Sequence, residues 1–175
     1  MSIIVIVVII AVVLTMSVTT IHSLEKYKRR VAKDVCGYLS DLIDILNSVG
    51  LNKDLLDRYD TPEITPKIKI INGLIDRCDE KMTIFMELNK HIKFMSELKA
   101  EMLLHTYKLN IYHIRMSLNA LTRAMSLYGA KSDKVYTLIK RYDRIIILSS
   151  GGLSGVLVTL NKVLEEYRWI YYFII

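Results

Sequence analysis

Proline, glycine, cysteine and tryptophan are scarce in this chain of 175 residues, which has 2, 7, 2 and 1 of them respectively. Two cysteines cannot form the disulfide framework of a small secreted domain. Cys36 and Cys78 both fall at apolar positions of a helical pattern, where a free cysteine is commonly buried. The few prolines and glycines leave long stretches without a helix breaker, which indicates an all-α fold.

The sequence also lacks the local motifs of common enzymes and cofactor-binding proteins. Residues 149–155 are glycine-rich but have no Gly-Lys-Ser/Thr ending, so they do not form a phosphate-binding loop. His91, His105 and His113 are expected at solvated or half-buried positions, since a zinc site needs three or four converging ligands. We therefore predict no cofactor, no metal and no enzymatic activity. An enzyme whose catalytic groups gather from distant positions is a third hypothesis.

The first 24 residues contain no Lys, Arg, Asp or Glu and are strongly apolar. Residues 3–24 provide about 22 positions, within the roughly 17 to 25 that a helix needs to cross a bilayer. Residues 1–24 are therefore predicted to be a transmembrane signal anchor. A cleaved signal peptide is an alternative, with Ser17-Val18-Thr19 as a weak cleavage site, although no positive n-region precedes the apolar run. A buried core helix or strand is the remaining alternative.

Five basic residues lie immediately after the apolar segment. Basic residues beside a membrane helix stay on the cytoplasmic side, so we predict a single-pass membrane protein with the bulk of its chain in the cytoplasm. A secreted or extracytoplasmic domain results instead if the segment is cleaved or inverted. These residues are also expected to contact anionic lipid headgroups. This basic collar consists of Lys26, Lys28, Arg29, Arg30 and Lys33.

Apolar residues recur at intervals of three and four after the start of the basic collar. This spacing predicts a juxtamembrane helix over residues 25–50, continuous with the anchor. Residues 51–65, which are net negative and include Pro62, are predicted to be a connector to a bundle domain of residues 66–175. The predicted buried face of the juxtamembrane helix contains Val31, Val35, Leu39, Leu42, Leu46 and Val49.

Residues 66–128 are predicted to form two long coiled-coil-like helices, 66–95 and 96–128, because apolar residues recur there close to a heptad pattern. One continuous helix is the alternative, since Gly73 is the only glycine between Pro66 and Tyr128. Asn89 and Ser96 fall on the apolar seam, where polar residues affect register and partner choice more than strength. The predicted core positions are Ile68, Ile71, Ile75, Cys78, Met82, Phe85, Ile92, Met95, Met102, Leu109, Tyr112 and Met116.

Three glycines interrupt the helical pattern near the end of the chain. Ser132 is a predicted N-cap for a short helix, and Gly151, Gly152 and Gly155 are predicted to form a flexible hinge before a last helix. The final segment is apolar and aromatic. It is expected either to pack into the bundle or to insert at the bilayer interface, where Trp and Tyr concentrate. Its aromatic residues are Trp169, Tyr171, Tyr172 and Phe173.

The predicted architecture is all-α, with an amino-terminal transmembrane helix followed by a helical bundle that contains one or two long coiled-coil-like helices. The expected function is a non-enzymatic interaction or scaffold protein that holds a protein partner, or another copy of itself, at a lipid bilayer. The alternative is a membrane-remodelling or pore-forming protein that uses its glycine-hinged C-terminal segment. The net charge of +6 is concentrated beside the membrane and in residues 131–144, which argues against a nucleic-acid partner.

Overall fold

The computed structural model describes residues 3–48, 64–91, 93–129 and 132–174, and the side chains of 10–48, 65–91, 93–129 and 132–166. These residues form four α-helices and no β-strand. The helices are α1 (Ile3–Ser48), α2 (Ile64–His91), α3 (Glu97–Tyr128) and α4 (Asp133–Ile174). The prediction of an all-α bundle is confirmed for this part of the chain.

Helix α1 is uninterrupted over 46 residues, which corresponds to a length of about 69 Å. It joins the predicted anchor to the predicted juxtamembrane helix, so the continuity of these two segments is confirmed. Its predicted buried positions from Val31 to Leu46 are buried. Val49 and the connector of residues 51–65 lie outside the described residues. Every residue from 10 to 24 is exposed.

Helices α2 and α3 are separate, as predicted, and residues 93–96 between them form a non-helical turn, while Ile92, a predicted core position, lies outside the described residues. Helix α2 ends at His91, and the hydroxyl of Ser96 accepts a hydrogen bond from the N–H of Lys99 at 3.4 Å. Ser96 is therefore the exposed N-cap of α3, and its predicted place on the seam is wrong. Asn89 is buried on the seam, as predicted.

The four helices run alternately up and down, each antiparallel to the one before it. Helix α1 packs against α2 and α4, and α3 packs against the same two helices. Lys28 of α1 meets Asn89 near the end of α2, while Gly152 of α4 lies against Asn110 of α3. This is the up-down-up-down order of a four-helix bundle. We call the end that contains Lys28 and the α2–α3 turn the anchor end, and α4 runs toward it.

The hydrophobic core has a large part shared by all four helices and a small part at the opposite end. The small part contains Leu121 and Ala124 of α3 with Val135 and Ile139 of α4. The α3–α4 hairpin therefore forms a core of its own beyond the shared one.

Helix α4 is continuous where the sequence predicted two separate helices, so the prediction of a break between them is wrong. Ser149, Ser150, Leu153 and Val156 are buried at helical spacing. This packing outweighs the low helix propensity of glycine, about 1 kcal/mol per residue. Hinge motion at Gly151, Gly152 and Gly155 stays a prediction.

Over Asp133–Glu166, α4 is long and apolar enough to cross a membrane, with a mean hydropathy of 1.4 in its most apolar stretch, of which 33% is buried. It is the one helix to satisfy both criteria within the residues whose side chains are described. Core helices of soluble bundles satisfy them too, so the property is weak support for a membrane span. The span that the sequence predicts lies instead in the first part of α1, whose first seven side chains, those of residues 3–9, are not among those described.

Candidate interaction surface

The basic collar is divided between the surface and the core. Lys28 is not the surface residue that the sequence predicts, because its side chain is fully buried. It lies in helical phase with Val31 and Val35, and therefore on the face of α1 that packs into the bundle. The other four collar residues are exposed or half-buried: Lys26, Arg29, Arg30 and Lys33.

Lys28 and Asn89 form a buried polar cluster at the anchor end. The Lys28 Nζ donates to Asn89 Oδ1 at 3.1 Å and lies 3.9 Å from the ring centroid of Phe94 and 5.8 Å from that of Phe85, within cation–π range. Asn89 Oδ1 also accepts the N–H groups of Phe94 at 3.0 Å and Met95 at 3.3 Å, while its Nδ2 donates to the Met95 carbonyl at 3.3 Å. One asparagine thus stabilises the α2–α3 turn and binds it to α1.

Burial lowers the pKa of Lys28 from 10.5 to about 8, although the carboxylate of Glu25 raises it in part. Desolvation disfavours the charged amine, and the aromatic rings compensate for only part of that cost. The amine therefore titrates much closer to neutral pH than an exposed lysine does.

A second polar cluster joins α2 to α3 at mid-height. The Tyr107 hydroxyl donates to Asp79 Oδ1 at 2.6 Å, and Arg115 donates to Asp79 Oδ2 at 2.8 Å and to Asp76 Oδ1 at 2.7 Å. Burial and the Asp79 carboxylate both raise the pKa of Tyr107. Each group in this cluster has a partner, so its role is to connect the helices and set their register.

Helix α3 has apolar side chains on two faces. Its inner face fills the core with Leu103, Tyr107, Ile111, Ile114 and Leu118. Its outer face has a second apolar row at heptad-like spacing, whose side chains are 48% to 67% exposed. We call this row the outer stripe; it consists of Leu98, Met102, Leu109, Tyr112 and Met116.

Four residues of the outer stripe were predicted to lie in the core, and for them the prediction is wrong. They are Met102, Leu109, Tyr112 and Met116, and the prediction assumed that the heptad phase of α2 continues into α3. That phase does not continue, because the α2–α3 turn intervenes and α3 starts anew after its N-cap at Ser96. Soluble monomers rarely expose large contiguous apolar patches.

A groove of about 420 Å³ lies between α3 and α4 toward the anchor end. Its apolar lining comes from both helices, and two lysines, Lys99 and Lys162, stand at its edge. Gly155 of α4 contributes to the wall, where a Cβ atom would meet no other atom within 4 Å. The groove borders the outer stripe at Met102.

The three histidines and two cysteines considered in the sequence analysis all lie in the described helices. His91, His105 and His113 are exposed, as predicted. In the described helices, no three His, Cys, Asp or Glu side chains converge on a metal position. Cys78 is buried and Cys36 half-buried, and burial raises the pKa of Cys36 to about 11 and that of Cys78 to about 12.

The predicted interfacial aromatic residues belong to the last turns of α4, where the backbone is helical as far as Ile174. Their side chains, those of Trp169, Tyr171, Tyr172 and Phe173, lie outside the described ones. Their predicted contact with the bilayer interface stays a prediction.

No protein-family model matches the chain, and neither a curated protein nor a solved structure is significantly similar to it.

Sequence reasoning missed both the outer stripe as a surface and the groove beside it. A signal was present, because residues 96–128 contain two interleaved apolar rows and a single core-facing row would account for only one of them. The α3–α4 groove had no such signal, since it depends on how two helices pack.

Proposed function

We propose that the protein is a non-enzymatic interaction protein, held in a membrane by the first part of α1, whose helical bundle binds a protein partner or another copy of itself. The outer stripe of α3 carries this proposal. It runs over 19 residues from Leu98 to Met116, a rise of about 27 Å along the helix. Heptad-spaced apolar side chains along such a length are what a partner helix packs against.

The exposed part of α1 supports the membrane anchor. Leu14, Met16 and Val18 are 60%, 67% and 65% exposed, and no described residue covers them. The hydroxyls in this segment donate to backbone carbonyls three or four residues earlier, at 2.8 to 3.1 Å. Polar groups inside a bilayer must be satisfied within the protein, and these are. The hydroxyls belong to Thr15, Ser17, Thr19 and Thr20.

The interaction function is tested with the full chain in mild detergent. The double variant Leu109→Ser, Met116→Ser changes two exposed side chains and is expected to leave the fold intact. We expect the wild type either to capture a protein partner or to self-associate in sedimentation experiments, and we expect the variant to lose that property. The matched control is Glu101→Ser, Lys108→Ser on the same exposed face. A wild-type chain that is monomeric and captures no partner contradicts the proposal.

A membrane-remodelling protein is the second candidate, and one observation favours it. Because α4 runs toward the anchor end, its apolar last turns emerge where α1 leaves the bundle. Both apolar segments therefore face the same bilayer if α1 is anchored.

Liposome leakage distinguishes this second function. A chain ending after Glu166 keeps the described buried residues of α4, whereas a chain ending at Asp143 would lose Leu153, Val156 and Leu160 from the core. We expect leakage from the full chain and little from the chain ending after Glu166 if the tail remodels membranes. Equal leakage from both chains would show that the residues after Glu166 are not needed for leakage.

A further inference from the structure

The groove between α3 and α4 has the composition of a site for a hydrocarbon chain. Its volume of about 420 Å³ falls within the range of about 300 to 1,000 Å³ that ligand pockets usually have. Of its twelve lining residues, six are large and apolar, and they come from both sides. They are Met95, Met102, Leu103, Val156, Val158 and Val163.

The charge at the groove is predominantly positive. Lys99 of α3 and Lys162 of α4 stand on opposite walls, and both are exposed. Glu166 approaches Lys162 only at 4.0 Å, with both side chains exposed, and such pairs contribute little. An anionic group can therefore displace this contact and bind between the two lysines.

The position of the groove relates it to the membrane. Met95 lines its upper end and also belongs to the turn that Asn89 holds against Lys28. Lys28 is four residues beyond the predicted end of the anchor, or about 6 Å along α1. Headgroup regions extend roughly that far beyond the hydrocarbon core. The upper end of the groove thus lies at headgroup level if α1 crosses the bilayer.

We propose that this groove binds the acyl chain of a single-chain anionic lipid, of the fatty-acid class, taken from the membrane that holds α1. The carboxylate is placed between Lys99 and Lys162, and the chain lies on the apolar wall below them. From Lys99 to Thr106 the groove follows seven residues of α3, about 10 Å, which accommodates the part of an extended acyl chain nearest the carboxylate. The proposal rests on the membrane anchor but not on the partner-binding role of the outer stripe.

Two glycines of α4 provide a matched pair of variants. Gly155 lines the groove and Gly151 does not, yet a Cβ atom at either position meets nothing within 4 Å. Gly155→Leu therefore puts a side chain into the groove with no clash at its Cβ atom, while Gly151→Leu adds the same side chain one turn away. Both changes replace glycine within a helix and should have similar effects on helix stability.

The experiment uses the full chain in phospholipid vesicles that contain a diazirine analogue of palmitic acid. Flotation first shows that each variant is anchored, and only floated protein is irradiated and mapped by mass spectrometry. We expect label on residues 95–106 and 155–166, a reduction of about fivefold or more in Gly155→Leu, and no reduction in Gly151→Leu. Lys99→Gln with Lys162→Gln should reduce labelling by the acid but not by its methyl ester.

Three results overturn the proposal for protein that floats. These are an unlabelled groove, equal labelling of wild type and Gly155→Leu, and equal labelling by the acid and its methyl ester. Failure to float instead contradicts the anchor, and so the proposed function. The Leu109→Ser, Met116→Ser variant should label normally, which separates the lipid site from the partner surface.

Discussion

Lys28 is a titratable amine inside the core of the anchor end. Its pKa is lowered to about 8 in the folded chain, compared with about 10.4 for an unperturbed lysine. Between these values the unfolded chain binds more protons than the folded one, so stability rises with pH through this window. Below pH 8 both states are protonated and the cost of burying the charge is present in full.

Lys28→Met should therefore stabilise the protein at pH 7. The methionine keeps the apolar contact with Phe85 and Phe94 and removes the buried charge, a kind of change that commonly gains about 1 to 3 kcal/mol. The rise in stability between pH 8 and 10 should also disappear. Thermal unfolding in detergent at pH 7 and 9.5 measures both effects. Lys33→Met, at an exposed position, is the control. If the stability of Lys28→Met depended on pH as that of the wild type does, the buried amine would not be the cause of this dependence.

Asn89→Leu should destabilise the protein more than any change to the collar surface. It removes the acceptor for Lys28 and for the N–H groups of Phe94 and Met95. Each buried group left unsatisfied costs about 1 to 3 kcal/mol. We expect faster hydrogen exchange in the α2–α3 turn, partly reversed when Lys28→Met is added. Asn119→Leu on the exposed face of α3 provides the comparison, and equal effects of the two changes would refute this role.

At the scale of helices, the buried face could be predicted from the sequence where a helix has a single apolar row. The stripe of α1 from Val31 to Leu46 and that of α2 from Ile68 to Phe85 are buried as predicted, because each helix has one apolar face. Helix α3 has two apolar faces, and the sequence alone does not show which of the two is directed toward the core. In α4, local glycine preference pointed to a loop, but packing along Leu153 and Val156 keeps the segment helical.

The three glycines of α4 should respond differently to alanine. Gly151→Ala and Gly155→Ala meet open space and should each stabilise the helix by about 0.5 to 1 kcal/mol. In Gly152→Ala the new methyl group collides with the Asn110 amide, which donates to the Thr106 carbonyl at 2.7 Å. We expect lower stability there, restored in part by Asn110→Ala. The midpoints of denaturant unfolding test this. Equal shifts of the midpoint in all three variants would contradict the close approach of Gly152 to Asn110.

At the scale of the molecule, the orientation of the proposed membrane anchor would decide which partners are reachable. Replacing Lys26, Arg29, Arg30 and Lys33 by Gln, with the core residue Lys28 retained, should weaken or invert the orientation. Protease added to the cytosolic face of sealed membranes should digest the bundle of the wild type but less of this variant. Lys140→Gln with Arg141→Gln, exposed and remote from α1 in sequence, should change nothing. A wild-type bundle protected until the membrane is opened would place it on the other side.

The pairing of α1 with α4 also affects how the protein is made. Helix α1 is synthesised first and α4 last, about 100 residues later, which at ribosomal speed is a delay on the order of 10 s. During that interval α2 can cover one side of α1, while the side that packs against α4 stays uncovered. An α4 from a neighbouring nascent chain fits that side equally well, so the delay is the period in which copies can exchange this helix.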